Sequence, residues 1–277
     1  MKYIDLHIHT DCSDGACTSG EVLEFVRSSG VVAFSITDHD TLDGAQQVRS
    51  MLGPGDPELI TGVELSAHYG SDDLHILAYL FDPDNDRFAT ALSAFRVKRS
   101  ERGKMIIEKL RDLGVDVEFD SVEETADGSV IGRPHVAETL HRLNKVGSYQ
   151  DAFDRYIGRS GPAYVPKMML TPQEAIDLVH HAGGVAVLAH PFIDNIAKHL
   201  EMLVSMGLDG IEVRHPNHLP EQTVRLERIA VKQNLVTSGG SDFHGREGRN
   251  GMIGSQRVPA EYLDRLKQRS FEVRGRN

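Results

Sequence analysis

The chain has 277 residues, 40% apolar and 26% charged, enough length and hydrophobic content for one large folded core or a core with an insertion. Its formal charge of −11 excludes a general electrostatic attraction to long nucleic acid or to an anionic membrane, so a phosphorylated ligand would need local positive charge such as bound metal. No apolar run approaches a membrane span, the opening MKYIDLH lacks a basic stretch leading into an apolar core, and Cys12 and Cys17 in one loop form neither a disulfide framework nor a zinc knuckle; a cytoplasmic protein is the expectation.

The first element is IDLHIHTDCSD, Ile4 to Asp14. Read as a strand it turns Ile4, Leu6 and Ile8 one way and Asp5, His7 and His9 the other, and the polar face continues into Asp11, Ser13 and Asp14. Thr18 and Glu21 form a capping box for a helix with Val22, Leu23, Phe25 and Val26 on its apolar stripe, closed by Gly30. A buried strand, Val31 to Thr37, ends in Asp38, His39 and Asp40. A short helix from Gly44 to Met51 and a Pro/Gly loop lead to a third strand ending near Glu64, and DLHILAYLF reads as a fourth strand carrying His75. An amphipathic helix from Asp86 to about Leu113 stops at Gly114, and there the strand and helix alternation breaks. Short helices are expected at Ser121 to Ala126, Pro134 to Asn144 and Ser148 to Ile157. The alternation resumes with a helix capped by Thr171, Pro172 and Glu174, the strand VAVLAHP ending at His190, a helix from about Asn195 to Met206, the strand DGIEVRHP, a helix from Glu221 to Gln233 and the strand LVTSGGSDFHG.

Roughly seven strands alternating with helices predict an α/β fold built on a parallel barrel, residues 1–113 and 167–277, with a helical insertion or cap at 114–166. Such a barrel gathers the carboxyl ends of its strands. The residues found there are His7, His9, Asp14, His39, Glu64, His75, His190, Asp242 and His244. Mixed imidazole and carboxylate donors suit Mn²⁺, Fe²⁺ or Zn²⁺, and the set is too large for one ion but sufficient for two or three.

HIHTDCSDG, ITDHD, GVELS, AHP and GGSDFHG resemble, in order and spacing, the motifs of the PHP (polymerase and histidinol phosphatase) superfamily over roughly residues 1–100 and 167–260. The resemblance implies a distorted seven-stranded (β/α)7 barrel holding a trinuclear metal centre, most often Mn²⁺, that hydrolyses phosphoesters. It implies one ion on His7, His9, Glu64 and Asp242, a second on Glu64, His75 and His190, and a third on Asp14, His39 and His244. About six positive charges from three ions, less about four from the carboxylates and a bridging hydroxide, leave a cationic pocket for phosphate, which a metal-bridging water can attack.

Guanidinium forks match phosphate oxygens, which makes Arg214 and Arg133 the expected clamps, with His135, Asn217, His218 and Lys167 as further substrate contacts and His215 as a candidate proton donor to the leaving group. Asp5 and Asp40 are expected to orient ligand imidazoles. The run Lys98, Arg99, Arg102, Lys104 reads as a solvated helix face, with steering of an anionic substrate from the cap side as the alternative. Length and the inserted segment make the chain most similar to the stand-alone group of the superfamily. That implies a phosphomonoesterase acting on a small nucleotide, a nucleoside 3′,5′-bisphosphate or a monophosphate. A 5′-3′ exonuclease on short RNA, a histidinol-phosphate phosphatase and a C–N amidohydrolase are the alternatives.

Overall fold

The computed structural model describes residues 2–70, 72–128, 131–166, 170–245 and 251–275. Nine strands are described, in two sheets. The first has the order β3 (Glu58–Leu59), β2 (Ala33–Ile36), β1 (Tyr3–Ile8), β9 (Val258–Pro259), with β9 antiparallel to β1 and the others parallel. The second has the order β4 (Gly62–Tyr69), β5 (Asp72–Tyr79), β6 (Val185–Leu188), β7 (Gly210–Arg214), β8 (Val236–Gly239). Two parallel bridges tie the sheets together at the carboxyl ends of β1 and β2: Ile8 pairs with Phe243, just beyond β8, and His39 pairs with Glu64 of β4.

The expectation of an all-parallel sheet is corrected here. β4 runs antiparallel to β5 and β5 antiparallel to β6; only β6, β7 and β8 are mutually parallel in the second sheet. The cause is chain length: two residues separate Tyr69 from Asp72, whereas a parallel crossover needs about a dozen.

The helices form where capping and periodicity place them. α1 (Ser19–Ser29) starts at the Thr18/Glu21 capping box and ends at Gly30, whose φ of 77° only glycine adopts freely. α2 is Asp43–Met51, and α3 (Asp86–Asp112) is capped by Asn85. α4 (Phe119–Ala126), α5 (Arg133–Arg142) and α6 (Tyr149–Ala152), the last continued by a π-helical turn at Phe153–Ile157, follow. α7 (Pro172–His181) carries a second capping box at Thr171/Glu174. The helix expected from Asn195 is a 3₁₀ segment, Ile193–His199, followed by α8 (Leu200–Ser205). α9 is Pro220–Gln233, and α10 (Glu261–Arg274) is an element that the sequence reading did not place.

Between the sheets, Ile4 and Leu6 of β1 pack with Leu77 and Tyr79 of β5, Val185 and Val187 of β6, and Leu263 and Leu266 of α10. Tyr79 is fully buried and donates its hydroxyl to the Leu6 carbonyl at 2.9 Å. A separate apolar cluster joins Ile106, Ile107 and Leu110 of α3 to Val122, Val136, Leu140 and Ile157. No helix of the described residues is long and apolar enough to cross a membrane.

Candidate metal centre

The two bridges bring the ends of β1, β2, β4 and the segment after β8 to one place, and the chemistry gathers there. Glu64 lies at its middle. Its Oε2 is 3.2 Å from Nε2 of both His7 and His9 and 3.3 Å from Nδ1 of His39; its Oε1 is 2.9 Å from His75 Nδ1 and 3.1 Å from His190 Nε2. Asp242 Oδ1 stands 3.3 Å from His7 Nε2 and 3.2 Å from His9 Nε2. Asp14 is carried in by a tight loop: the Thr10 carbonyl accepts from the amides of Ser13 and Gly15, while Asp38 accepts from the Thr10 amide and hydroxyl and the Ser13 hydroxyl. This places Asp14 Oδ1 3.2 Å from His244 Nε2 and 3.7 Å from His9 Nδ1.

Among the described residues, four groups of side chains have donor atoms close enough together to hold a cation: His7, His9, Asp242; His9, His39, Glu64; His9, Asp14, His244; and Glu64, His75, His190. All nine residues drawn from the strand ends take part. Glu64, His75 and His190, the second of the three expected sets, stand together as one of these groups. The third differs, because His39 Nδ1 turns to Glu64 and its Nε2 is 4.0 Å from Asp14, leaving His9 between the pockets with a nitrogen facing each. The donors fit a metal for a geometric reason: His9 Nδ1 and Nε2, Asp14 Oδ1 and His39 Nδ1 are buried without a hydrogen-bond partner despite the carboxylates nearby. Lone pairs converging on a point rather than on one another are what a cation between them requires.

The groups of the cluster also shift one another's proton affinities. Burial alone would lower His9, yet the facing carboxylates of Asp242 and Glu64 lift it to about 10, and Glu212, Glu64 and Asp242 likewise raise His7 well above the usual imidazole range. Burial would raise Glu64, Asp14 and Asp242, but the surrounding imidazoles hold all three well below the usual carboxylate range.

Above the cluster lies a cavity of about 420 Å³. Asp14, His39, His75 and His190 face it from below, four arginines, Arg99, Arg102, Arg133 and Arg159, line it, and Tyr149, Phe153, Ile193 and Ile196 supply apolar wall. Burial, then the neighbouring Arg133 and Arg99, press Arg102 down to about 10, while Arg99 pairs with Asp40 and Arg159 with Asp73.

The family profile of the PHP domain matches residues 5–164, more than half of the chain. The chain belongs to the PHP family. It is similar to a 5′-3′ exoribonuclease of Haemophilus influenzae, with 33% identity over 248 residues, 88% of this chain and 90% of that protein. It is also similar to a 3′,5′-nucleoside bisphosphate phosphatase of Chromobacterium violaceum, with 30% identity and 90% of each chain covered. A solved structure from Bifidobacterium adolescentis, described as a metal-dependent phosphoesterase, superimposes with a TM-score of 0.86 at 30% identity and covers 97% of this chain and 96% of its own.

Around this PHP centre several expected contacts are placed differently. Arg214 leaves the cavity and donates to the carbonyls of Gln256 and Arg257 at 3.4 and 3.3 Å, because its long side chain reaches the backbone beside β9. Asp5 accepts from the amides of Ser241 at 2.9 Å, Gly254 at 2.8 Å and His7 at 3.3 Å, so it anchors backbone instead of orienting an imidazole. Asp40 holds the Ser66 amide and hydroxyl and pairs with Arg99. His215 accepts from the Asn217 amide at Nδ1, which leaves its Nε2–H directed at Asp242 Oδ2, 3.2 Å away; it is committed to a ligand carboxylate and does not line the cavity. His218 donates from Nδ1 to the Val213 carbonyl at 2.9 Å, Asn217 is exposed, and His135 Nδ1 accepts from the Gly132 amide at the start of α5. Arg133 does line the cavity, its guanidinium 5.9 Å from the Phe153 ring and 5.6 Å from that of Tyr164. Lys167 lies outside the described residues. The expected solvated face of α3 is half right: Lys98 and Lys104 are exposed, but Arg99 and Arg102 turn inward to the cavity. The sequence reading missed Glu212, which is fully buried and 2.9 Å from His7 Nδ1.

Proposed function

We propose that the protein is a divalent-metal-dependent phosphomonoesterase that releases phosphate from a small nucleotide, foremost a nucleoside 3′,5′-bisphosphate. One observation carries this reading: a single cavity places an imidazole and carboxylate cluster at its floor and four arginines around it. The similarity to the bisphosphate phosphatase agrees with it. The nine cluster residues would hold divalent ions as a trinuclear centre, Mn²⁺ foremost and Fe²⁺ or Zn²⁺ through the same donors, which would supply Lewis acidity and activate a water.

The protein's own groups then do the rest. His75, His190, His39 and Asp14 border the position of the reacting phosphate, and Arg99, Arg102, Arg133 and Arg159 bind the phosphate that is retained. Tyr149, Phe153, Ile193 and Ile196 offer an apolar surface to the nucleoside, and the cavity falls within the range of about 300–1,000 Å³ found for small-molecule sites. The two sheets are read as halves of a distorted barrel, 1–113 and 167–277, capped by the helical segment 114–166, in a cytoplasmic enzyme.

The second reading is stepwise removal of nucleotides from the 5′ end of short RNA, which the similarity to the Haemophilus exoribonuclease favours. Both use the same centre. Phosphate or nucleotide release is measured with Mn²⁺-loaded protein on nucleoside 3′,5′-bisphosphates, monophosphates, 5′-phosphorylated oligoribonucleotides, histidinol phosphate and an amide panel. The highest kcat/KM is expected on the bisphosphate. Turnover confined to histidinol phosphate or to amides overturns the nucleotide reading, and mononucleotides released from the oligomers at higher kcat/KM establish the second one.

A further inference from the structure

We infer that Glu212 is a positioning residue that sets two metal pockets at once. The inference rests on the cluster being a metal centre, and it concerns a carboxylate outside the nine residues of that cluster. Glu212 sits in the middle of β7 and is fully buried. Its Oε1 is 2.9 Å from Nδ1 of His7, and its Oε2 accepts the backbone N–H of His190 at 2.7 Å. The two partners belong to different groups: His7 stands with His9 and Asp242, His190 with Glu64 and His75.

Each contact fixes a ligand. With a proton held on Nδ1 by Glu212, the lone pair of His7 lies on Nε2, the atom that faces Glu64 and Asp242. His190 has φ of 25°, a backbone conformation that a β-carbon disfavours, and the bond from its amide to Glu212 holds it there with Nε2 aimed at Glu64 Oε1, 3.1 Å away. Both partners are donors, so the site needs two acceptors. A carboxylate supplies them; a carboxamide of the same shape supplies one acceptor and one donor, and so must leave His7 or His190 facing an N–H.

The test is Glu212→Gln, which preserves volume. Mn²⁺ alone is titrated into metal-free wild type and variant by calorimetry, and thermal unfolding of both metal-free proteins is compared. Mn²⁺ affinity is expected to fall by about 10- to 100-fold in the variant, as for other carboxylates behind ligand imidazoles. Isotherms that superimpose overturn the proposal. Wild type that binds no Mn²⁺ strikes the metal-centre reading itself. A purely structural Glu212 would lower the metal-free melting temperature and leave the isotherm in place, which also refutes the proposal. Should the variant not fold, nitrogen NMR of histidine-labelled, Zn²⁺-loaded wild type decides: a proton on His7 Nδ1 with Nε2 shifted by metal is expected, and the reverse assignment refutes it.

Discussion

His9 faces three carboxylates, Glu64 and Asp242 at 3.2 Å from Nε2 and Asp14 at 3.7 Å from Nδ1. Proton and metal therefore compete for the same nitrogens. In the metal-free protein its pKa rises from 6.5 to about 10, so the proton it holds stabilises the fold fully below pH 6.5 and that contribution is lost as pH rises towards 10. Metal binding has the opposite slope, since it needs the imidazole deprotonated. The melting temperature of protein in chelator is thus expected to fall between pH 6.5 and 9.5, while the gain from saturating Mn²⁺ grows over the same interval. Differential scanning calorimetry at several pH values checks this; a gain that shrinks with pH would mean that His9 does not exchange its proton for metal. Most of the nine cluster residues were legible because they stand in short polar segments at the end of an apolar strand; His75 begins one, and Glu64 lies between Val63 and Leu65 in β4. Glu212 was not: a lone carboxylate inside GIEVR looks like half of an ion pair with the visible Arg214, and only the fold shows which of the two points inward.

At the level of elements, the hairpin explains how His75 joins the cluster although it begins a strand. Ser66 of β4 pairs with His75 of β5 and Glu64 with Leu77, so Glu64 and His75 are diagonal neighbours on one face, and their side chains meet at 2.9 Å. The sequence contains the information, since two residues cannot hold a crossover, but the rhythm of alternating strands and helices elsewhere hides it. The close approach of the segment after β8 to β1 is set by Gly240: a β-carbon there would fall on Cβ and the backbone nitrogen of His7. Gly240→Ala is expected to destabilise the metal-free protein by about 1–3 kcal/mol, as overpacking does, and to weaken Mn²⁺ binding because His7 itself is displaced. Urea unfolding and metal titration measure both; a variant with unchanged metal affinity would show that the loop, and not the ligand, yields.

For the whole molecule, the proposed function raises the question of how a chain of charge −11 would draw in a multiply charged anion. Net charge says nothing of where charge sits, and the fold concentrates Arg99, Arg102, Arg133 and Arg159 around one cavity from segments far apart in sequence. This is why Arg102 and Arg99 read as surface residues in sequence: helical spacing alone does not reveal which face a later segment will cover, and Arg102 is buried with Nε donating to the Val165 carbonyl at 2.9 Å. Arg133 is the arginine to test, since it begins α5 and lies beside Phe153 and Tyr164, whose rings a methionine would still contact. A charge-assisted hydrogen bond to phosphate is worth about 1.5–3 kcal/mol. Arg133→Met is accordingly expected to raise KM for a nucleoside 3′,5′-bisphosphate by about 10- to 100-fold, because each 1.4 kcal/mol is a factor of ten. The change in kcat should stay small, and a monophosphate, with no second phosphate for the arginines to hold, should lose much less. Steady-state kinetics on the two substrates decide the matter. Equal losses on both would place Arg133 at the reacting phosphate, and no loss on either would remove Arg133 from substrate binding.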